Sequence, residues 1–231
     1  NDGSGVFTDA TATRMPVDSD HTTAVAFGDV DADGDLDLVL GSLQQNRLYL
    51  NDGSGTFTDA TATRMPVAND STRAVAFGDV DGDGDLDLVL GNYNSQDRLY
   101  LNNGSGSFTD ATASRMPVDT SLTTSIALGD VDRDGDLDLV TGNSGVSYPG
   151  QQNRLYLNDG AGRFSDVTAT RMPVVNDVTR SVVFGDVDAD GDLDLVIGNI
   201  GQYFKRSGYG GEQNRLYLND GAGTFTDATT A

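Results

Sequence analysis

The sequence predicts an all-β fold, a β-propeller of four four-stranded antiparallel blades, and three observations carry that prediction. The 231 residues repeat: units open with N(D/N)G(S/A)G at Asn1, Asn51, Asn102 and Asn158, giving lengths of 50, 51, 56 and 61, and a fifth opening at Asn219 runs for 13 residues. Each unit holds four short apolar or alternating segments separated by Asn, Asp and Gly turns, which is the spacing of a propeller blade. No segment keeps a 3.6-residue apolar period over a helical length.

Within the first full unit, AVAF (residues 24 to 27) is the first strand, with counterparts at 74 to 77, 125 to 128 and 181 to 184. Its small and apolar residues suit a strand packed on both faces. An aspartate-rich loop follows. LDLVLG (36 to 41) is the second strand, with Leu36, Leu38 and Leu40 on one face, and NRLYL (46 to 50) is the third. The turn NDGSG leads into the fourth strand, TFTDAT (56 to 61), and a proline-bearing connection, 64 to 73, reaches the next unit.

The whole chain, 1 to 231, reads as one domain with blades at about 22–63, 72–114, 123–170 and 179–230. A surplus fourth-type strand near 6–11 duplicates the one near 224–229. Closure of four blades within one chain is the favoured arrangement, and an eight-bladed ring from two chains is the alternative.

GDVDADGDLDLVLG begins at Gly28 and recurs in register at Gly78, Gly129 and Gly185. Alternate aspartates of a tightly wound loop aim carboxylates at one centre, the hard oxygen set that calcium takes. The candidate metal residues of the first loop are Asp29, Asp31, Asp33, Asp35 and Asp37, and of the second Asp79, Asp81, Asp83, Asp85 and Asp87. The third offers Asp130, Asp132, Asp134, Asp136 and Asp138, and the fourth Asp186, Asp188, Asp190, Asp192 and Asp194. In the first copy Asp29, Asp31, Asp33 and Asp37 are expected to ligate through side chains and Asp35 through its carbonyl, with Gly34 permitting the reversal. An EF-hand would need a glutamate at position 12, where Leu40 stands, so that reading fails. About four Ca2+ ions, one per blade, are expected.

FGDVDADGDLD, the following LVLG and the hairpin LYLNDGSGTFTDAT resemble the FG-GAP repeats of integrin α-subunit propellers and of bacterial surface proteins with VCBS repeats. The resemblance covers nearly the whole chain. It implies that the calcium loop joins the first two strands of each blade on one rim. Family propellers are commonly seven-bladed and often carry asparagine at loop position 3, where every copy here has aspartate.

Composition narrows the partners. There are 36 acidic against 14 basic residues, and 20 of the acids lie in the four loops, so four divalent ions would bring the formal charge from −22 to −14. Nucleic acid and anionic membrane are poor partners for such a surface, and no membrane insertion is expected. Cysteine is absent, which removes disulfide and thiol chemistry.

The connections between second and third strands grow along the chain, from 42–45 to 92–97, 143–152 and 199–213. They are expected on the rim opposite the calcium loops, and Tyr93, Tyr148, Tyr203, Phe204, Lys205, Arg206 and Tyr209 are the candidate ligand-binding residues. Arg47, Arg98, Arg154 and Arg215 are expected to pair with aspartates of their own blades, and Tyr49, Tyr100, Tyr156 and Tyr217 to pack between blades. The expected function is a non-catalytic, extracellular or cell-surface module that binds protein or carbohydrate, and a homodimer through blade or strand sharing is the alternative to closure within one chain. The alternatives are a calcium-dependent polysaccharide-active or phytase-like enzyme and a structural repeat of a larger surface protein.

Overall fold

The computed structural model describes residues 3–145, 150–200 and 212–229. A single helical turn, α1 (Thr11–Arg14), precedes a sheet of β1 (Thr22–Gly28), β2 (Asp37–Ser42), β3 (Arg47–Asn51) and β4 (Phe57–Asp59). After α2 (Thr61–Arg64) comes a second sheet of β5 (Thr72–Gly78), β6 (Asp87–Asn92), β7 (Arg98–Asn102) and β8 (Phe108–Asp110). Then α3 (Thr112–Arg115) leads to a third, of β9 (Leu122–Gly129), β10 (Asp138–Ser144), β12 (Arg154–Asn158) and β13 (Phe164–Asp166). A two-residue strand, β11 (Gln151–Gln152), pairs apart from it with β14 (Asn176–Asp177), beyond α4 (Thr168–Arg171). The fourth sheet is β15 (Thr179–Gly185), β16 (Asp194–Asn199), β17 (Arg215–Asn219) and β18 (Phe225–Asp227). All four are antiparallel meanders in chain order.

The fourth strands are shorter than the sequence implies, because each ends in a side-chain turn. Asp59 Oδ1 accepts from the Thr61 backbone N–H at 2.9 Å, and the Thr61 hydroxyl accepts from Leu48 N–H at 3.0 Å. That pair starts the helical turn Thr61–Arg64 where TFTDAT reads as strand to its end. Four residues are too few to show a helical period.

Neighbouring sheets stack by setting bulky side chains over glycines. A Cβ on Gly28 would lie 2.9 Å from Phe77 and 3.1 Å from Leu86, and one on Gly41 would lie 2.9 Å from Val75. The same fit recurs between the second and third sheets, where Leu128 and Leu137 meet Gly78, and between the third and fourth, where Phe184 and Leu193 meet Gly129. Between the first two sheets Val30, Val39, Leu48 and Met65 from one side close on Leu88, Leu90, Tyr100 and Phe108 from the other. Each such side chain is nearly or wholly buried, worth roughly 1.5–3 kcal/mol apiece. Met65, Met116 and Met172 of the Met-Pro pairs thus plug the seams between sheets, while Met15 packs on the first sheet alone.

The innermost strands stack in the order β1, β5, β9, β15. Among the described strands no comparable packing joins β15 to β1, so the expected closure within one chain is not seen among them. The surplus N-terminal segment is resolved in favour of the C-terminus. β18 pairs with β17 and completes the fourth sheet, while residues 6–10 form no strand and Phe7 is exposed.

Candidate metal centres

The aspartate loops connect the first and second strands of each sheet, at the same end as the hairpin turns that join third to fourth. In the first loop Asp29 accepts from the backbone N–H groups of Asp33 (3.2 Å) and Gly34 (3.0 Å), and Asp33 accepts from Asp35 N–H (2.9 Å). Gly34 sits at φ +93°, and its counterparts Gly84, Gly135 and Gly191 at +93°, +97° and +91°. Position 4 is also left-handed, at Ala32, Gly82, Arg133 and Ala189. Asp37 at position 9 is fully buried and anchors the loop, taking Val30 N–H (3.0 Å) and Asn51 N–H (2.9 Å).

Carboxylate oxygens converge at each loop. Asp29, Asp31 and Asp33 offer ligand atoms within 4.8 Å of one another, as do Asp79, Asp81 and Asp87; Asp130, Asp132 and Asp138; and Asp186, Asp188 and Asp194. Two oxygens each about 2.4 Å from one ion can be no more than about 4.8 Å apart, so each group is close enough to share one cation. A second observation tests the fit. Oδ1 of Asp31, Asp81 and Asp132, all at position 3, is buried without a hydrogen-bond partner. An orphaned carboxylate oxygen is costly, and a bound cation satisfies it.

The electrostatics agree. Burial, then the neighbouring Asp33 and Asp29 charges, push the Asp31 carboxyl up, against the pull of Arg64. Burial raises Asp37, and it pushes Asp87 and Asp138 up to about 6. Without a cation these loops hold like charges that repel; a divalent ion reverses the balance. Asp35, at position 7, turns its side chain toward the hairpin, where a Cβ on Gly53 would be 2.5 Å from its Oδ2.

Each of the first three loops is also covered by the following sheet. Gly106, in the second sheet's hairpin turn, lies against Val30 and Asp31; Gly162 stands likewise over Asp81 and Gly223 over Asp132. Arginines pin these seams. Arg64 donates to the Ser105 carbonyl and stands 3.8 Å from Asp31, while Arg115 stands 3.6 Å from Asp81 and Arg171 3.9 Å from Asp132. Sequence reading missed these arginines, although their recurrence before every Met-Pro pair was the signal available.

The connections between second and third strands lie at the opposite end, against the proline-bearing loops. Leu43 N–H donates to the His21 carbonyl, and the Gln45 side chain bridges Pro66 and Ala68. Tyr93 lies on this rim, half-buried, with the Arg73 guanidinium 5.5 Å from its ring centre. Tyr148, Tyr203, Phe204, Lys205, Arg206 and Tyr209 lie outside the described residues.

The recurring arginines and tyrosines are structural. Arg98 pairs with Asp70 and, at 3.0 Å, with Asp110; Arg154 pairs with Asp119 (3.0 Å) and Asp166 (2.9 Å). Arg47 and Arg215 make the matching pairs, so each arginine joins the preceding connection to the fourth strand of its own sheet. Tyr49 and Tyr156 donate to Asp18 (3.0 Å) and Asp119 (2.9 Å) from buried positions.

Stacked four-stranded meanders, each with an acidic hairpin loop on one rim, define a propeller-like repeat protein with candidate cation sites. The chain belongs to the FG-GAP repeat family. The FG-GAP-like repeat matches residues 29–90, 79–141 and 145–197, and the FG-GAP repeat matches 178–218. It is 34% identical over 113 residues to cartilage acidic protein 1 of Homo sapiens, covering 47% of this chain and 16% of that protein, and 34% identical over 113 residues to the Mus musculus protein, covering 47% of this chain and 17% of that one.

Similar folds are found in solved structures. One is the biofilm matrix protein Bap1 of V. cholerae (TM-score 0.52, 17% identity, 90% of this chain and 28% of that one). Another is an Agrocybe aegerita lectin described with specific recognition of non-reducing terminal N-acetylglucosamine (TM-score 0.51, 19% identity, 87% and 50%). At these identities the likeness is one of fold. No helix among the described residues is long and apolar enough to cross a membrane.

Proposed function

We propose that this chain is a non-catalytic, calcium-stabilised binding module of an extracellular protein, recognising protein or glycan through the rim opposite the aspartate loops. The buried, unpartnered Oδ1 of Asp31, Asp81 and Asp132, repeated in register, carries the calcium reading. Position-1, -3, -5 and -9 carboxylates and the position-7 carbonyl supply the oxygens. Calcium suits them better than magnesium, which demands near-ideal octahedral geometry and keeps its waters. The ions act as clamps, since each of the first three loops is locked between its own hairpin turn and the next.

Recognition falls to the unequal loops of the other rim, of which 199–213 is the longest and carries the chain's only lysine. The recognition of N-acetylglucosamine by the similar lectin supports a glycan ligand, and the similarity to the cartilage and biofilm matrix proteins supports an extracellular setting. A non-catalytic role is supported by the engagement of the recurring arginines, and of Tyr49 and Tyr156, in structural pairs.

Calorimetric titration and thermal melts test the calcium reading. About four Ca2+ per chain are expected, with little response to Mg2+. At a free calcium level tenfold above a Kd of about 0.1 mM, each site contributes about 1.4 kcal/mol, so chelation should lower Tm by on the order of 10–20 °C. An unchanged Tm in EDTA would reject it. Glycan-array and pull-down screens in calcium, with 203–209 replaced by a Gly/Ser linker, test the recognition rim: the replacement should abolish binding and leave the melt unchanged.

A further inference from the structure

The two ends of the stack carry complementary halves of the seam that joins neighbouring sheets. On the first sheet Val25, Phe27 and Leu36 are 60%, 58% and 57% exposed. Their counterparts Val75, Phe77 and Leu86 are the side chains that cover Gly41 and Gly28, and the same positions fill the other two seams. At the far end the receiving surface is uncovered among the described residues. A Cβ on Gly185 would meet nothing within 4 Å and one on Gly198 only Ser181 of its own sheet, while Val183 and Val187 are 54% and 50% exposed.

The polar contacts of the seams are halved in the same way. Asn102, Asn158 and Asn219 each donate to the preceding sheet's Val30, Val80 or Val131 carbonyl, at 2.8, 2.7 and 2.7 Å. Asn51 donates only to Leu36 of its own sheet, and no such amide reaches Val187 among the described residues. Arg64, Arg115 and Arg171 each approach a position-3 aspartate of the preceding loop. Among the described residues Arg14 donates to the Ser54 carbonyl with no acidic partner, and Asp188 has no arginine partner. The fourth aspartate loop also lacks the covering hairpin turn that the other three have.

We propose that a second copy of this chain docks head-to-tail, seating its Val25, Phe27 and Leu36 on the Gly185 and Gly198 surface of the first. The partner's Arg14 and first hairpin turn then complete the loop of Asp186, Asp188 and Asp194. The occupant is a second copy because the surface it must match is the one the first sheet presents, and this interface already forms three times within the chain. The contact is heterologous, so both ends are satisfied when two copies close as one eight-sheet ring, within the range of known propellers.

Sedimentation and light scattering of the chain in calcium test this, against a single-chain mass of 24.2 kDa. Twice that mass is expected. Phe27→Asp and Gly185→Arg should each give single chains, and an equimolar mixture of the two should restore pairs, through the receiving face of one and the intact knobs of the other. Both positions are open in the single chain, so circular dichroism should match wild type; Leu36→Asp is the second knob variant should Phe27→Asp fail to fold. A single-chain mass for the wild type at all concentrations overturns the proposal and leaves the faces to further sheets of a longer polypeptide. So does open-ended growth with concentration, or a mixture that fails to pair.

Discussion

The side-chain amide of Asn102 donates to the backbone carbonyl of Val30 at 2.8 Å, across 72 residues of sequence. It donates also to the Leu86 carbonyl at 3.2 Å, so one buried amide ties the loop of one sheet to the outer hairpin of the next. Repeat stability is largely the sum of such nearest-neighbour terms.

Replacing that amide ranks the term. Asn102→Ala leaves the Val30 carbonyl without its partner and should cost about 1–3 kcal/mol. Asn102→Asp should cost more, because a buried carboxylate then faces two carbonyl oxygens. Urea unfolding midpoints in saturating calcium check the order; an Asp variant more stable than the Ala variant would contradict it.

Tyr100 and Tyr156 occupy equivalent buried positions but differ at the hydroxyl. Tyr156 donates to Asp119, whereas the Tyr100 hydroxyl has no partner, because Ala68 stands where Asp18 and Asp119 stand. Tyr156→Phe should therefore cost about 1–2 kcal/mol, and Tyr100→Phe nothing or slightly less than nothing. Paired thermal melts of the two variants measure the difference.

Asp97 gives the fold a pH dependence. Asn46, Asn153 and Asn214 hold the equivalent place, and the Asn46 amide donates to Thr72 Oγ1 (3.0 Å), which donates to Asn92 (2.7 Å). Asp97 lacks that donor, and the single Thr123 proton cannot serve both Asp97 (2.9 Å) and Asn143 (3.1 Å). A protonated Asp97 restores the chain of bonds. Burial pushes its carboxyl up to about 7 from 3.8. The folded state holds the proton longer than the unfolded one, so this contribution is complete below about pH 4 and is lost as pH rises toward 7. The ceiling is about 4 kcal/mol. Asp97→Asn should raise stability at pH 8 and flatten the slope between pH 5 and 8 in saturating calcium; an unchanged slope would sink the assignment.

Ala32 holds φ +59° in the first loop, where the second loop has Gly82 at +74°. Left-handed backbone costs a side-chained residue about 1–2 kcal/mol, partly offset by the freedom glycine loses on folding. Ala32→Gly should stabilise by roughly 0.5–1 kcal/mol and Gly82→Ala destabilise by a similar amount, read from melts at fixed calcium.

The strands and aspartate loops were legible because each is written in local, repeated chemistry. Alternating Leu and Val around Asp37 mark β2, and five aspartates in nine residues mark the loop. Recurrence alone pointed Arg47, Arg98, Arg154 and Arg215 to aspartates of their own blades, but not to Asp20, Asp70, Asp119 and Asp177 of the preceding connections. The one-turn helix at Thr61 was not, because it depends on the Asp59 side chain taking its N–H and on Leu48 reaching its hydroxyl.

By itself the sequence determined the all-β repeat, the four meanders, the aspartate loops and the family, all set by spacing within a unit. The tertiary structure decided what spacing cannot express. It made Gly28 a seat for Phe77, turned Arg64 toward Asp31, gave the final edge to β18 in place of the N-terminal segment, and left β1 and β15 apart. The physical reason is that these depend on which surfaces meet. Near-identical units present the same knobs and glycines, so Phe27 and Phe77 read alike in sequence, and only the stacking order leaves one exposed and packs the other.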